Sequence, residues 1–310
     1  MPIKYHDLIY DVGLHQGEDT GFYLAKGFRV VAFEANPHLV KECSERFKQA
    51  IAADRLTIVA GAIVDPASEA ARIGVVRFYR NLSLTIWGTT DEAWMQRNVA
   101  LGAPSEVIEV TAVDFRSSLQ TYGIPHYMKI DIEGADGYCL AALRNFQERP
   151  EFVSIESEKL SFARLQQEIR LLTELGYAHF CAVQQADIHR SREPQPPREG
   201  MRVGHRFQTG SSGLFGRELP GPWLTASALE ERYKDIFQAY RYFGDAWFIR
   251  RTAIGRKLLQ FVERLARRPL PGWYDTHARL GSAEPSRTSD ESHPDRLSKA
   301  DCLDQIDNPP

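Results

Sequence analysis

The sequence predicts an α/β domain built on a doubly wound, mostly parallel sheet. Its first sixty residues alternate short apolar runs with amphipathic stretches in the order strand, helix, strand, helix, strand. The run R-V-V-A-F-E at 29–34 is almost entirely β-branched and aromatic, as a strand buried on both faces should be. Glycines and carboxylates follow several of these runs, and the ligand sites of open parallel sheets lie at such strand ends.

Apolar patterning and helix signals place the predicted elements in order along the chain. Pro37 begins the second helix, because proline is favoured at the first helical position, and Gly176 ends a later one. The strand D-A-W-F-I-R at 245–250 is predicted to close a sheet of about seven strands, antiparallel at its edge. The other predicted strands lie at 7–13, 29–34, 56–60, 74–79, 106–113, 126–132, 152–156 and 177–183, and helices at 17–27, 138–146 and 162–175.

A long connection separates the last two predicted strands. Residues 184–244 form a stretch of 61 residues, far longer than an ordinary connection in a compact domain. Ser227 and Glu230 make a capping box that predicts the start of a helix within it. Because long loops in compact domains are usually lids or binding loops, we expect this insertion to be a lid that selects the substrate.

Composition divides the chain into three parts. Residues 1–251 are predicted to form one folded domain, and 252–274 a basic helix and extension. Residues 275–310 contain no Phe, Tyr, Trp, Val or Met, so they are predicted to be disordered for lack of apolar surface to offset the entropy of ordering. The basic, amphipathic stretch 250–268 could touch anionic lipid, but a helix packed on the domain is the favoured interpretation.

Charge and cysteine content argue against several classes of protein. The net charge is −3, and residues 275–310 hold eight acids and four bases, a net of −4, so the rest of the chain carries +1. Nucleic-acid binders usually show a basic excess that this domain lacks. The four cysteines are scattered without a C-x-x-C pair, which disfavours a disulfide scaffold or a zinc ribbon. No apolar run approaches the ~20 residues of a membrane span, and the first ten residues have no secretory apolar core, so a cytoplasmic location is expected.

The first functional constellation is D-V-G-L-H-Q-G-E-D-T at 11–20. Gly13 and Gly17 lie where the first strand turns into the first helix, which lets backbone N–H groups approach an anionic ligand. Glu34, at the end of the second strand, is placed to accept the ribose hydroxyls of an adenosine ligand. The alternative is that the glycines only make the turn and that Glu34 is solvated. The G-x-G-x-x-G, Tyr-x-x-x-Lys and G-x-x-x-x-G-K-[ST] patterns are missing, so NAD and ATP are disfavoured.

The second constellation is Y-M-K-I-D-I-E-G-A-D-G at 127–137. Asp131 and Glu133 come at or just past the carboxyl end of a predicted parallel strand, where ligands bind, and Gly134 lets the chain turn away. The alternative is a pair of satisfied carboxylates beside a helix capped at Asp136. His126 precedes the strand core, at the opposite end, and is expected to be a surface residue.

These motifs resemble a known family. D-V-G-x-x-x-G-x-x-T, V-V-A-F-E-A-N-P and M-K-I-D-I-E-G-A-D-G-Y-C-L, followed by I-E-S-E at 155–158, are similar in order and spacing to FkbM methyltransferases, which use S-adenosylmethionine. The resemblance covers roughly Leu8 to Glu158. It implies a class I methyltransferase sheet of seven strands and O-methylation of a hydroxyl, on sugars of glycans and glycolipids or on secondary metabolites.

The resemblance also implies which residues hold the cofactor. His15 stands where the family commonly has Asn, so it could donate to the cofactor carboxylate or face the substrate. Asp131 would lie near the methionine amine and the sulfonium. The expected contacts are Asp11, Gly13 and Gly17 with the methionine end and Thr20 close behind, Glu34 with the ribose, and Ala62, Ile63 and Asp65 with the adenine.

Methyl transfer to an alcohol needs alignment with the donor and a group that accepts the hydroxyl proton. We favour Asp131 or Glu133 as that group, ahead of His15 and Glu156, because of their motif position. Asp131, Glu133, Glu156 and Glu158 could supply oxygen ligands to Mg²⁺ or Ca²⁺, and no His-rich spacing supports zinc. Amine-pairing or solvated carboxylates are favoured, so no metal is predicted.

Two other functions stay open as alternatives. One is a module of the same fold that binds the cofactor without catalysis. The other is nucleic-acid methylation, which is weaker because Asn308-Pro309-Pro310 lacks the aromatic residue of the base-methylating signature. The expected partner is a small-molecule or glycan acceptor, and the oligomeric state is not predicted.

Overall fold

A computed structural model describes residues 2–81, 88–100, 102–132, 134–158, 161–208, 210–243 and 273–281. The strands are β1 Lys4–Val12, β2 Arg29–Glu34, β3 Leu56–Ala60, β4 Ala62–Ile63, β5 Val75–Asn81, β6 Ser105–Val113, β7 Ile124–Ile130, β8 Phe152–Glu156, β9 Tyr177–Gln184 and β10 Tyr274–Leu280. The helices are α1 Glu18–Ala25, α2 Pro37–Arg46, α3 Lys48–Ala52, α4 Glu69–Ile73, α5 Glu92–Ala100, α6 Phe115–Tyr122, α7 Asp136–Leu143, α8 Phe162–Glu174 and α9 Ala226–Phe243. No helix within these ranges combines the length and the apolar character needed to cross a membrane.

The central sheet has seven strands in the order β3-β2-β1-β7-β8-β10-β9. From β3 to β8 neighbouring strands run parallel, whereas β10 is antiparallel to both β8 and β9. Every residue of β7 is buried, as expected for a central strand covered on both faces. The doubly wound sheet of seven strands predicted from the sequence is therefore confirmed.

The sheet buries a core on each face. On one face, helices α6 to α9 pack through buried side chains such as Leu119, Leu140, Leu165 and Leu229. On the other face, α1 and the long segment 185–224 pack against β1, β2 and β7. Burial on both faces explains why the sheet strands carry continuous apolar runs and not an alternating pattern.

The long segment forms a layer packed on the sheet. Ile188, Phe207 and Phe215 of this segment are buried with Tyr127 in the second core. Phe215 stacks on the Tyr127 ring with centroids 4.8 Å apart. The segment therefore covers a sheet face that would otherwise expose apolar side chains, and its role as a lid that selects the substrate stays a prediction.

Lys26 fastens this layer to α1. Its Nζ is buried and lies 3.0 Å from Glu193 Oε1 and 2.9 Å from Glu218 Oε1, and it donates to the Met201 carbonyl at 3.1 Å. Both carboxylates belong to the long segment. Because all three charges are buried, removing the lysine would leave two carboxylates without a compensating cation.

The predicted closing strand at 245–250 lies outside the described residues. Among the described strands of the sheet, the one antiparallel to its neighbours is β10, which lies between β8 and β9 and not at the edge. The boundary of the predicted disordered tail at 275 is consequently wrong, because Thr276, His277 and Ala278 are buried. The ladders to two neighbouring strands stabilise a segment that is too polar to be recognised from its composition. The predicted basic helix at 252–274, except its last two residues, and the rest of the tail from 282 on also lie outside the described residues.

The strands predicted at 74–79 and 106–113 are present as β5 and β6. They belong to a separate three-stranded sheet, in which β6 pairs with β5 on one side and with β4 on the other. The predicted start of the helix in the long segment is corrected. Helix α9 is capped by Thr225, whose Oγ1 accepts from the Ala228 N–H at 3.3 Å, and not by Ser227. The helix therefore begins two residues earlier than the predicted capping box implies.

Candidate active site

The turn after β1 brings two motifs into contact. Gly13 has φ +99°, and its N–H and that of Leu14 donate to the Phe33 carbonyl at 3.1 and 2.9 Å. A Cβ on Gly13 would collide with the backbone carbonyl of Asp131. Glycine is required here both for the left-handed backbone and for the close approach of the β7 loop. The sequence motifs at 11–20 and 127–137 thus form one site at the carboxyl end of the sheet.

Lys129 connects the carboxylates of this site. Its Nζ donates to the Gly13 carbonyl at 2.9 Å and lies 3.4 Å from Asp11 Oδ1 and 3.8 Å from both Asp19 Oδ2 and Asp131 Oδ2. Although burial alone would lower the pKa of Lys129, these carboxylates raise it well above its usual value. Lys129 is therefore a permanent cation that holds the glycine turn in place.

Asp11 and Thr20 form the inner wall of the site. Thr20 Oγ1 donates to Asp11 Oδ2 at 2.6 Å, and both residues are fully buried. Burial raises the pKa of Asp11, and the Lys129 charge and the Thr20 hydrogen bond oppose that rise. Both residues lie where the sequence predicted them, beside the Gly13 turn, although Asp11 contacts the turn through Lys129.

Asp19 extends this wall to the long segment. Its two carboxylate oxygens accept from the Ser212 N–H at 2.9 and 3.0 Å. Burial, with the neighbouring Asp11 charge, raises the pKa of Asp19 to about 6, against the lowering effect of Lys129. The segment 185–224 therefore contributes to the site by orienting a carboxylate behind the glycine turn.

Glu34 is oriented at the end of β2. Its Oε2 accepts from the His15 N–H at 2.9 Å and its Oε1 from the Asn36 N–H at 2.7 Å. Burial raises the pKa of Glu34, while those two N–H donors and the His15 ring lower it in part. His15 has φ +50°, and its Nδ1 lies 3.2 Å from Glu18 Oε1, so the ring is paired with the first turn of α1. Both Glu34 oxygens keep lone pairs for a second donor such as a ribose hydroxyl.

The remaining predicted cofactor residues lie at the start of α1 and in and after β4. Gly17 is the N-cap of α1, with φ +78°. Ala62 and Ile63 are buried in β4. The residue before them, Gly61, donates its N–H to the Glu34 carbonyl at 2.9 Å. Asp65 accepts from the Ala67 N–H at 2.8 Å, so part of its hydrogen-bonding capacity is used in its own turn.

Of the two predicted catalytic residues, Asp131 and Glu133, the structure describes Asp131. Asp131 follows β7, and its side chain is 46% exposed, which leaves it open to a ligand. Its N–H donates to the Val12 carbonyl at 2.9 Å, which fixes the loop against β1. Glu133 lies outside the described residues. The structure therefore places the Asp131 side chain at the surface of the site, and its catalytic role stays a prediction.

Asp275 is a site residue that the sequence analysis missed. It is paired directly across from Glu156 in the β8–β10 ladder, so both side chains lie on the same face of the sheet as Lys129. Burial, then the Asp131 and Glu156 charges, raises the pKa of Asp275 well above its usual value. No sequence signal indicated Asp275, because its strand was assigned to the tail.

More carboxyl groups lie behind this edge. Burial raises the pKa of Asp136, at the start of α7, to about 7, with the Asp131 and Glu156 charges adding to the effect. Glu168 of α8 accepts from the Glu158 N–H at 3.3 Å, and burial raises its pKa to about 8. The described acids at this edge do not bring three ligand atoms within 4.8 Å of one another, so the geometry does not add support for a divalent cation here.

Comparisons with known proteins identify one family and several similar solved structures. The model of the methyltransferase FkbM domain matches residues 11–178. Among solved structures, the chain is similar to a precorrin 8W decarboxylase of Methanobacterium thermoautotrophicum, with 15% identity, 66% of this chain and 79% of that chain covered, and a TM-score of 0.34. A methyltransferase FkbM from Methylobacillus flagellatus KT matches with 14% identity, 56% and 38% coverage and a TM-score of 0.31. A putative O-methyltransferase from Klebsiella pneumoniae matches with 16% identity, 57% and 66% coverage and a TM-score of 0.30. No curated protein matches the chain.

Proposed function

Because the chain belongs to the FkbM methyltransferase family, we propose that it transfers a methyl group from S-adenosylmethionine to a hydroxyl of a saccharide, a glycan precursor or a secondary metabolite. The observation that carries the proposal is the junction of the two motifs, where the Gly13 turn, Lys129 and Asp131 meet at the carboxyl end of the sheet. The substrate class and O-methylation go beyond the family match, and we propose them because the resemblance of the sequence motifs implies them.

The residues present fit this cofactor. Glu34 offers oriented acceptor oxygens for two ribose hydroxyls. Asp131 offers an accessible carboxylate to an ammonium group. Gly17 begins α1, and the N-terminus of a helix favours an anionic group such as the cofactor carboxylate. Ala62 and Ile63 supply an apolar wall that suits an adenine ring. When bound, S-adenosylmethionine supplies a methyl group already activated by its sulfonium.

The chain's own task is then alignment and proton removal. Lys129 Nζ lies within 4 Å of Asp11, Asp19, Asp131 and the Gly13 carbonyl, so it fixes these groups relative to one another on the cofactor side. Asp131, and Glu133 from the same motif, are our candidates for accepting the hydroxyl proton. Glu156 and Asp275 are paired on neighbouring strands at the same edge, and we assign them to the acceptor side of the site.

The test is methyl transfer to a panel of mono- and disaccharides, followed as formation of S-adenosylhomocysteine. Asp131→Asn and Glu133→Gln should each lower the rate by at least 100-fold while binding of S-adenosylhomocysteine survives. Glu109→Gln, at an exposed position on β6, is the matched control and should leave both unchanged. If both active-site variants keep the biological function of the chain, it is a binding module and the proposal is wrong.

A further inference from the structure

Three potential metal ligands meet at the amino end of the sheet, opposite the candidate active site. They are His6 of β1, His126 of β7 and Glu151 just before β8. One ligand atom of each lies within 4.8 Å of the others. His6 is exposed, His126 is buried and Glu151 is half-buried. These residues are far apart in sequence, so no spacing pattern could indicate them.

His126 is held in one orientation by its surroundings. It is only 3% exposed, which corrects the expectation of a surface residue. Its ring is parallel to that of Phe28, with centroids 6.2 Å apart, and meets Phe152 edge-on at 5.4 Å. Its Nε2 lies 3.0 Å from Oε2 of Glu199, which is itself buried. A histidine whose far nitrogen donates to a carboxylate presents its other nitrogen as a fixed electron-pair donor.

The other ring nitrogen has an unusual environment. Nδ1 of His126 is buried and makes no hydrogen bond within the described residues, although Glu151 Oε2 is only 3.3 Å away. That distance suits a hydrogen bond, so the oxygen must lie off the direction in which an Nδ1–H would point. His126 Nδ1 and Glu151 Oε2 can each donate an electron pair, and they lie side by side without a hydrogen bond between them. This is the arrangement of two neighbouring ligands of one metal ion.

The distance between His126 Nδ1 and Glu151 Oε2 also has the value expected for two ligands of one zinc ion. Zinc binds histidine nitrogen and carboxylate oxygen at about 2.0–2.2 Å in tetrahedral sites, which places neighbouring ligand atoms roughly 3.3–3.5 Å apart. Nδ1 of His126 and Oε2 of Glu151 are 3.3 Å apart. The second oxygen of Glu151 is paired with Arg217, whose backbone N–H also donates to Glu199 Oε1 at 2.9 Å. Both carboxylates are thus fixed by outer contacts, as ligating groups usually are.

We propose that His6, His126 and Glu151 bind a zinc ion, with water as the fourth ligand and Glu199 orienting His126 from behind. The exposed His6 side chain closes the site on the solvent side. The ion would join the amino ends of β1, β7 and β8 to the segment that carries Glu199 and Arg217. This role is independent of methyl transfer and of the cofactor.

The test is zinc binding by the full-length, untagged chain after removal of metals with EDTA. Competition with a chromophoric chelator should show one zinc per chain with a Kd of about 1 µM or tighter, and zinc should raise the melting temperature. His6→Ala and Glu151→Gln should each weaken zinc binding at least tenfold and remove the thermal shift. His189→Ala, which changes another exposed histidine, should bind zinc as the unaltered chain does.

The variants were chosen so that a loss of zinc binding can be distinguished from a loss of folding. His6 is exposed, so its removal should not prevent folding, whereas replacing the buried His126 could. A zinc Kd weaker than about 100 µM would overturn the proposal. Tight binding that persists in both His6→Ala and Glu151→Gln would place zinc elsewhere and would also overturn it.

Discussion

Glu34 is the predicted ribose-binding residue, and the structure shows how its carboxylate is oriented. Its position at the end of β2 was predicted, and the structure adds that two backbone N–H groups orient its carboxylate. Those donors also determine which substitution is informative. Alanine would leave both N–H groups without an acceptor and could disturb the loop, whereas glutamine keeps the shape and one acceptor oxygen.

We therefore expect Glu34→Gln to weaken binding of S-adenosylhomocysteine at least tenfold, because the amide cannot accept from both ribose hydroxyls. Calorimetric titration measures the change directly. Glu45→Gln, at an exposed position of α2, is the control and should bind as the unaltered chain does. If Glu34→Gln binds S-adenosylhomocysteine with unchanged affinity, Glu34 does not bind the ribose.

Asp275 should separate acceptor recognition from cofactor binding. It lies beside Glu156, two strands away from Lys129 in the sheet, on the side where no cofactor contact is expected. In Asp275→Asn, kcat/KM for the acceptor found in the saccharide panel should fall at least tenfold, while the Kd of S-adenosylhomocysteine changes less than twofold. Asp235→Asn on the exposed side of α9 serves as the control. Loss of S-adenosylhomocysteine binding instead would assign Asp275 to the cofactor side.

The elements differ in how far their sequence could reveal them. Strands β1, β2, β7 and β8 are continuous apolar runs ended by glycine or a carboxylate, so both the sheet and the site at its edge could be predicted. The polar run Tyr274–Leu280 carries no such signal, because its burial comes from pairing with β8 and β9. The packed layer at 185–224 was missed for a related reason. Its contacts are with α1 and the sheet, far away in sequence, and its local composition resembles a loop.

Lys26 tests whether that layer is a fixed part of the fold. In Lys26→Met, the buried carboxylates of Glu193 and Glu218 lose their shared cation. Removing one partner of a buried ion pair costs about 3–5 kcal/mol, which urea unfolding should show as a lower free energy of unfolding. Arg29→Met removes the exposed pair with Asp7 and should cost no more than about 1 kcal/mol. Equal stability of the Lys26 and Arg29 variants would mean that the layer is a mobile lid after all.

For the molecule as a whole, the carboxyl groups behind the site edge should make stability depend on pH. The pKa values of Asp19, Asp136 and Glu168 are raised to about 6, 7 and 8, chiefly by burial. The folded chain then holds protons that the unfolded chain has lost, so stability falls as pH rises from about 4 to about 8. Carboxyl groups with a lowered pKa, such as Glu193, act in the opposite direction and mainly below this range.

The melting temperature should therefore be lower at pH 8.5 than at pH 5.5. Glu168→Gln, which keeps an acceptor for the Glu158 N–H but cannot ionise, should reduce that difference. Glu174→Gln, at an exposed position at the end of the same helix, should leave the difference unchanged. A melting temperature that rises from pH 5.5 to pH 8.5 would contradict the assignment of these groups as protonated in the fold.

The most direct test of the proposed function is calorimetric titration of the purified chain with S-adenosylhomocysteine, S-adenosylmethionine and NAD in parallel. We expect saturable binding of the first two ligands and no heat from NAD, because the Gly13 turn, Lys129 and Glu34 form a site whose spacing departs from the dinucleotide fingerprint. Binding of NAD alone would show that the motif at 11–20 does not hold S-adenosylmethionine.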